Sequence, residues 1–223
     1  MFIGHFGVAF AAKKALPKVS LAVLFIACQL MDLVWPVLVL LGIEKVSVAS
    51  EPLAANALNF DYYPFTHSLV GAILLSMIFR WICFAFTRDR KTSWLLSAVV
   101  LSHWVLDWIV HRPDLPLSIN NTHHMGLGLW NSVIGTVIIE GAIFFGGYFL
   151  YLKTVTPATP AKRWALWGLV AFLLLIFVMS TWGPQPALDT PGAAIAGPAL
   201  AMWILIPWAW WVDSRNQGLF KRS

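Results

Sequence analysis

The 223 residues are 59% hydrophobic and only 11% charged, with 15 Lys and Arg against 10 Asp and Glu and a mean hydropathy of +0.75. A water-soluble domain carries roughly 25% charged residues, so this chain has too little polar surface to cover a core of its own size in water; disordered, collagen-like and disulfide-scaffold classes are excluded with it. Thirteen Trp and fifteen Phe suit a bilayer, whose interfaces collect amphipathic rings, and the expected fold is an all-α, polytopic membrane helix bundle forming one domain.

In chain order, the first dozen residues, MFIGHFGVAFAA, are apolar but too short to cross a membrane, and they lack the basic start and cleavage site of a secretory signal. Two readings stand. One is a half-helix over residues 1–15, anchored at the cytoplasmic surface by Lys13 and Lys14, with His5 roughly 12 Å deeper at 1.5 Å per residue. The other is an amphipathic helix lying flat on the lipid. Six apolar runs of spanning length follow: Ser20 to Leu41, Thr66 to Phe86, Ser93 to Val110, Leu129 to Leu152, Trp164 to Trp182 and Ala193 to Val212. Pro64, Pro157, Pro160, Gly183, Pro184 and Pro186 punctuate them.

Lys and Arg between the runs alternate, 3 ahead of the first, then 1, 3, 1, 3 and 0 in successive loops and 3 in the tail. Twelve therefore fall on one side and two on the other, while Arg80 snorkels from the inner end of the second run. The positive-inside rule then puts both termini in the cytoplasm. The pI near 9.4 reports this topology and not a nucleic-acid surface, since no continuous basic patch exists. Cys28 and Cys83 both lie in apolar runs and read as small packing residues.

Ionisable side chains within a span cost on the order of 2.5 to 3.5 kcal/mol each, so each needs a partner, a metal or a water cavity. Asp32 lies in the first span, His67 at the start of the second, His103 and Asp107 in the third and Glu140 in the fourth. Asp32 and Asp107 sit about 18 and 21 Å from the cytoplasmic side at 1.5 Å per residue, and His67 follows the external Pro64, so one site in the outer half of the membrane is within reach of all three. His103, Asp107 and His111 are spaced i, i+4, i+8 on one helical face. Imidazole with carboxylate one turn apart suits Zn²⁺ or a similar divalent ion, and a His–Asp hydrogen bond is the simpler alternative. His111, at the outer boundary, reads as a supporting residue and not a ligand. Gln29 at i−3 is placed to steady the Asp32 carboxylate and Pro36 at i+4 loosens the helix there. Two carboxylates at one depth repel unless a cation or a proton lies between them. Thr66 and Ser68 are expected to cap the second span and fix the His67 ring. Glu140 is a further ligand, a proton acceptor or a partner of Arg80; His123 and His124 read as a solvated pair in an external loop.

The segments IGHFGVAF, MDLVWP, PFTHSL and SHWVLD together resemble the bacterial inner-membrane family described as membrane-bound metal-dependent hydrolases, which includes the LexA-regulated inner-membrane protein. The resemblance covers roughly the first half of the chain. It implies His5, Asp32, His67, His103 and Asp107 as metal ligands. MDLVWP keeps one acid and no His, and YYPFTHS lacks the HR that precedes the family's THS, so a single ion, with zinc the best match, is expected in place of two or three. The function implied is hydrolysis of a lipid or lipid-linked ester or phosphoester in the bacterial inner membrane by a metal-activated water, with Asp107 or Glu140 taking the proton and Trp130 and Asn131 flanking a substrate entrance. Two alternatives remain: a metal-ion or proton transporter or channel, and a non-catalytic membrane protein stapled by a structural metal.

Overall fold

Helix α1 (Ile3–Ala15) rises only about 20 Å at 1.5 Å per residue, short of a hydrocarbon core about 30 Å thick. In the computed structural model, which describes residues 1–214, it is inserted among longer helices. His5, Phe6, Phe10 and Lys13 are all buried, so α1 is a half-helix inside the bundle and the surface-lying alternative falls. Phe10 meets Phe25, Phe144 and Tyr151 edge to face, an arrangement that the ring quadrupoles favour.

Among the described residues, six helical segments are long and apolar enough to cross a membrane. The first is α2 (Leu21–Leu40), capped by Ser20 accepting from the Val23 amide and carrying Pro36 inside it. The second, expected as one helix from Thr66, is broken: a single turn, α3 (Pro64–His67), ends at an extended Ser68, whose side chain caps α4 (Leu69–Thr87). The third, α5 (Arg90–Val110), starts three residues early because Asp89 caps it through the Lys91 amide. The fourth, α6 (Val133–Thr154), starts four residues late, since Leu129–Asn131 forms a 3₁₀ turn and Ser132 is the cap. The fifth, α7 (Pro160–Trp182), begins at Pro160 in the first turn, where a missing N–H costs nothing. The last is composite: α8 (Gly192–Ala199), a 3₁₀ stretch (Leu200–Ile204) and α9 (Leu205–Asp213), tightening just after Pro198 removes a helical donor. Ile73, Leu74, Ile78, Ile134 and Ile138 point outward from α4 and α6, a surface that suits lipid. The chain is a multi-pass membrane protein; the basic tail residues Arg215, Lys221 and Arg222 lie outside the described residues.

Two features were not visible as elements in the sequence. The connection from α2 to α3 is an antiparallel hairpin, β1 (Lys45–Leu53) and β2 (Asn56–Tyr62), in register Val48 to Leu58 with irregularities on either side. Its Val46 packs into the core of the bundle and Ala49 is also buried, and the Ala55 amide donates to the Trp130 carbonyl at 2.9 Å, holding the hairpin across one end. A second pairing, β3 (Leu115–Pro116) with β4 (His124–Met125), ties off the α5–α6 loop. At the opposite end Lys13, expected at the membrane surface, is fully buried. Its ammonium donates to Asp213 Oδ2 and to the Val19 carbonyl, both at 2.5 Å, and Asp213 also accepts the Leu21 amide at 3.0 Å. The end of α9 thus closes over the α1–α2 turn, and the ion pair is what allows a lysine there to leave solvent.

Candidate metal centre and its cavity

Four elements contribute to one cluster beneath the hairpin: His5 from α1, Asp32 from α2, His67 from the last position of α3, and His103 with Asp107 from α5. His5 Nε2 lies 3.2 Å from Asp107 Oδ1 and His103 Nε2 lies 3.0 Å from Asp107 Oδ2. His67 Nε2 is 3.2 Å from Asp32 Oδ1 and 3.8 Å from Asp107 Oδ2, and His103 Nε2 is 3.6 Å from Asp32 Oδ1. The His5 and His103 rings stack face to face, centroids 3.8 Å apart. Two sets of three ligand atoms, His5 with His103 and Asp107, and Asp32 with His67 and His103, each fall within 4.8 Å of one another and share His103.

The donor set could hold a cation. His103 Nδ1 lies 2.8 Å from the Cys28 carbonyl, which only accepts, so Nδ1 carries a proton. In the neutral ring Nε2 is then a bare lone pair facing two carboxylates, and it has no hydrogen-bond partner although fully buried. His5 Nδ1 is likewise buried without a partner. Lone pairs converging on carboxylates in low dielectric are relieved by positive charge, from a proton, the Met1 ammonium or an ion. A proton on one ring neutralises a single contact, whereas a divalent ion satisfies nitrogen and oxygen donors together. The Met1 amino group, 2.5 Å from Asp107 Oδ1, is the one full positive charge at the cluster among the described residues.

The remaining expected residues divide. Glu140 is buried near the site, but its Oε2 accepts the Phe2 and Gly4 amides at 2.8 and 3.2 Å, so it caps the start of α1. It is not the partner of Arg80, whose guanidinium lies over the Trp94 and Trp81 rings at 4.0 and 4.8 Å. Gln29 does not reach Asp32: both of its amide atoms are buried and unpartnered. His111 ends the histidine stripe, because α5 stops at Val110. His111 turns instead to Asp114 at 2.9 Å and packs on Trp130, ring centroids 4.5 Å apart. Tyr63, beside it, contacts Asp114 at 3.4 Å; burial, then the Asp114 carboxylate, pushes its phenol well above the ordinary tyrosine range. His123 and His124 are exposed, Cys28 and Cys83 are unpaired.

Asp32, His67, Asp107 and Glu140 open onto a cavity of about 400 Å³, in the size range of small-molecule sites. Its other walls are mainly apolar: Phe172, Ile176 and Phe177 of α7, Met202 and Leu205 of the last span, and Phe60 of the hairpin. Trp130 lines it, while Asn131 does not. Trp203, next to Met202, donates its indole N–H to the carbonyl of Leu33, the residue after Asp32, at 3.2 Å. Sequence reasoning gave the last two spans no role, since an apolar cavity wall reads like any lipid-facing run. It also passed over Glu44, which directly precedes Lys45 in a connection between spans; Glu44 is 1% exposed and accepts from the Phe65 and Thr66 amides, each at 2.9 Å. No protein-family model matches the chain, and neither a curated protein nor a solved structure matches it.

Proposed function

We propose that the chain is a metal-dependent hydrolase of a bacterial inner membrane, acting on a lipid or lipid-linked ester or phosphoester. The observation that carries this reading is the pairing of a buried His–Asp donor set with a largely apolar cavity: the first suits a Lewis-acidic ion and the second a substrate that is mostly hydrocarbon. His5, Asp32, His67, His103 and Asp107 would hold the ion, zinc by the mixture of imidazole and carboxylate. When bound, such an ion lowers the pKa of a coordinated water from about 15.7 toward about 7 and polarises a phosphoryl or carbonyl oxygen.

The chain's own residues supply the rest. Asp107 is engaged through both oxygens by His5, His103 and the Met1 amino group, which suits a ligand. Glu140 keeps one oxygen free of hydrogen bonds among the described residues and lines the cavity, so it is the better proton acceptor of the two. Phe172, Phe177 and Met202 seat the apolar portion of the substrate and keep water from its path. The hairpin and Trp130 cover the end at which the charge-pattern topology places the outer leaflet.

A transporter would need a polar route past the cluster. Below it the bundle is filled by Phe6, Phe10, Phe25, Phe144 and Tyr151, all buried, which supports a closed site over a conduit. The test is elemental analysis of protein purified in detergent, followed by turnover of lipid esters and phosphoesters. Stoichiometric metal that disappears in His103→Ala and Asp107→Ala is expected. Absence of metal in the native protein refutes the site, and metal uptake into proteoliposomes without lipid turnover refutes the hydrolase.

A further inference from the structure

Glu44 is a buried acid outside the ligand cluster, and its contacts form a chain that ends in it. Glu44 Oε1 accepts the Phe65 and Thr66 amides at 2.9 Å each, and Oε2 lies 2.7 Å from Thr66 Oγ1. Thr66 Oγ1 is in turn 2.7 Å from His67 Nδ1, and His67 Nε2 faces Asp32 Oδ1 at 3.2 Å. All three linking residues are buried, Thr66 and Glu44 at 0% and 1% exposure.

Only one direction of hydrogen bonding satisfies both the Glu44–Thr66 and the Thr66–His67 contacts, and in the neutral ring it leaves the 3.2 Å contact of His67 Nε2 with Asp32 without a proton. A carboxylate only accepts, and a threonine hydroxyl has one proton. That proton goes to Glu44, so the Thr66 oxygen accepts from His67, and Nδ1 carries the hydrogen. Nε2 is left as a lone pair on the side of Asp32 and Asp107. We infer that Glu44 and Thr66 are positioning residues that lock His67 in the Nδ1–H tautomer and thereby hold its Nε2 ready for a metal ion. Outer partners of this kind fix ring orientation and ligand basicity at metal sites. The functional consequence rests on the metal-site reading above; the tautomer does not.

Glu44→Gln makes the inference sharp because it keeps the shape and reverses the polarity. Two backbone amides demand an acceptor at Oε1, so the new NH₂ faces Thr66 Oγ1 and donates to it. The Thr66 proton then turns to His67 Nδ1, and His67 must carry its hydrogen on Nε2, pointed at Asp32 where the ion would bind. The opposite amide orientation sets NH₂ against two N–H groups and loses two bonds for one gained.

The experiment is ¹⁵N NMR of histidine-labelled full-length protein in micelles, stripped of metal and at a pH where the imidazole is neutral, together with Zn²⁺ titration. The native His67 should show Nδ1–H, and Glu44→Gln should show Nε2–H with Zn²⁺ affinity lower by about 10- to 100-fold. Thr66→Ser should match the native protein, while Thr66→Val should lose affinity in the same range. An Nε2–H tautomer in the native protein, an unchanged tautomer in Glu44→Gln, or equal Zn²⁺ affinity in Thr66→Ser and Thr66→Val each overturns the relay. A native protein with the Nδ1–H form that binds no Zn²⁺ leaves the relay standing and overturns the metal-site reading instead. If Glu44→Gln does not fold, the serine and valine pair decides the relay.

Discussion

The half-helix that carries His5 is held against α6 by two glycines, and that contact can be broken with one methyl group. A Cβ added at Gly7 would lie 2.5 Å from the Ile143 carbonyl oxygen and 2.7 Å from Phe144 Cα. One added at Gly147 would strike the Gly7 carbonyl oxygen and lie 2.7 Å from its carbon. All of these are backbone atoms, which cannot rotate away as a side chain would. Carbon contacts relax at about 3.5–4.0 Å, so α1 and α6 must separate by about 1 Å, and overpacking of this kind costs about 1–3 kcal/mol. Close approach through small residues is how membrane helices gain packing energy without a hydrophobic drive, so separation also forfeits dispersion along the whole seam. Gly146 is the control. A Cβ there meets nothing within 4 Å, and alanine is the better helix former by about 0.8–1.0 kcal/mol. In thermal unfolding in detergent, Gly147→Ala should lower the midpoint while Gly146→Ala holds or raises it. Gly147→Ala should also weaken Zn²⁺ binding, because displacement of α1 shifts His5 Nε2 from its place 3.2 Å from Asp107 Oδ1. Equal effects at the two adjacent positions, or an unchanged midpoint in Gly147→Ala, refute the close-packing account.

Metal removal should destabilise the protein, by about 2.7 kcal/mol if the ion had been present at a hundred times its dissociation constant; a chelator series read by thermal unfolding checks this, and a midpoint indifferent to chelation counts against a bound ion. Lys13→Met should cost about 3–5 kcal/mol by leaving Asp213 buried without its cation, and Lys13→Met with Asp213→Leu should recover much of that loss in the same assay. Ala199→Phe places a ring in the cavity, so lipid ester turnover should fall while metal content stays native. Glu140→Gln should reduce the catalytic rate with metal retained, measured as kcat against metal content; loss of metal instead would make Glu140 a ligand.

How much of this the sequence discloses depends on whether a residue's role is set by its own solvation or by a distant neighbour. The six spans are legible because lipid imposes a length on each apolar run independently of the others. The cluster is legible for a related reason: Asp32, His103 and Asp107 are costly wherever in the bundle they end up, so their presence within apolar runs already demands a common explanation. The failures are relational. Lys13 reads as an interfacial anchor until Asp213, two hundred residues later, is folded against it. Gln29 has the right helical spacing for Asp32, yet spacing on one helix does not decide which neighbouring helix the side chain faces. Glu140 and Arg80 are opposite charges in the fourth and second apolar runs, and only the insertion of α1 between α6 and α5 supplies amide donors that take the carboxylate. The hairpin escapes notice because its strands alternate weakly, with two buried positions in the first of them.

The division of the chain follows from these relations. Every proposed ligand comes from the segment before residue 110, where polar atoms are paired through the backbone of neighbouring elements: Cys28 for His103, the α3 turn for Glu44. The later helices bring almost no polar partner to the cluster. They bring Glu140, which fixes the start of α1, and the apolar wall of α7 and the last span. Among the described residues, the last span meets the ligand helix at the Trp203 indole on the Leu33 carbonyl, one residue beyond Asp32. The indole therefore links the two halves, registering the last span against the turn that carries Asp32. Substitution of Trp203 by Phe should loosen that registration, altering which lipid chain lengths are turned over while the ligand set still holds its ion. If chain-length preference is unchanged and metal is lost, the indole supports the ligands and not the wall.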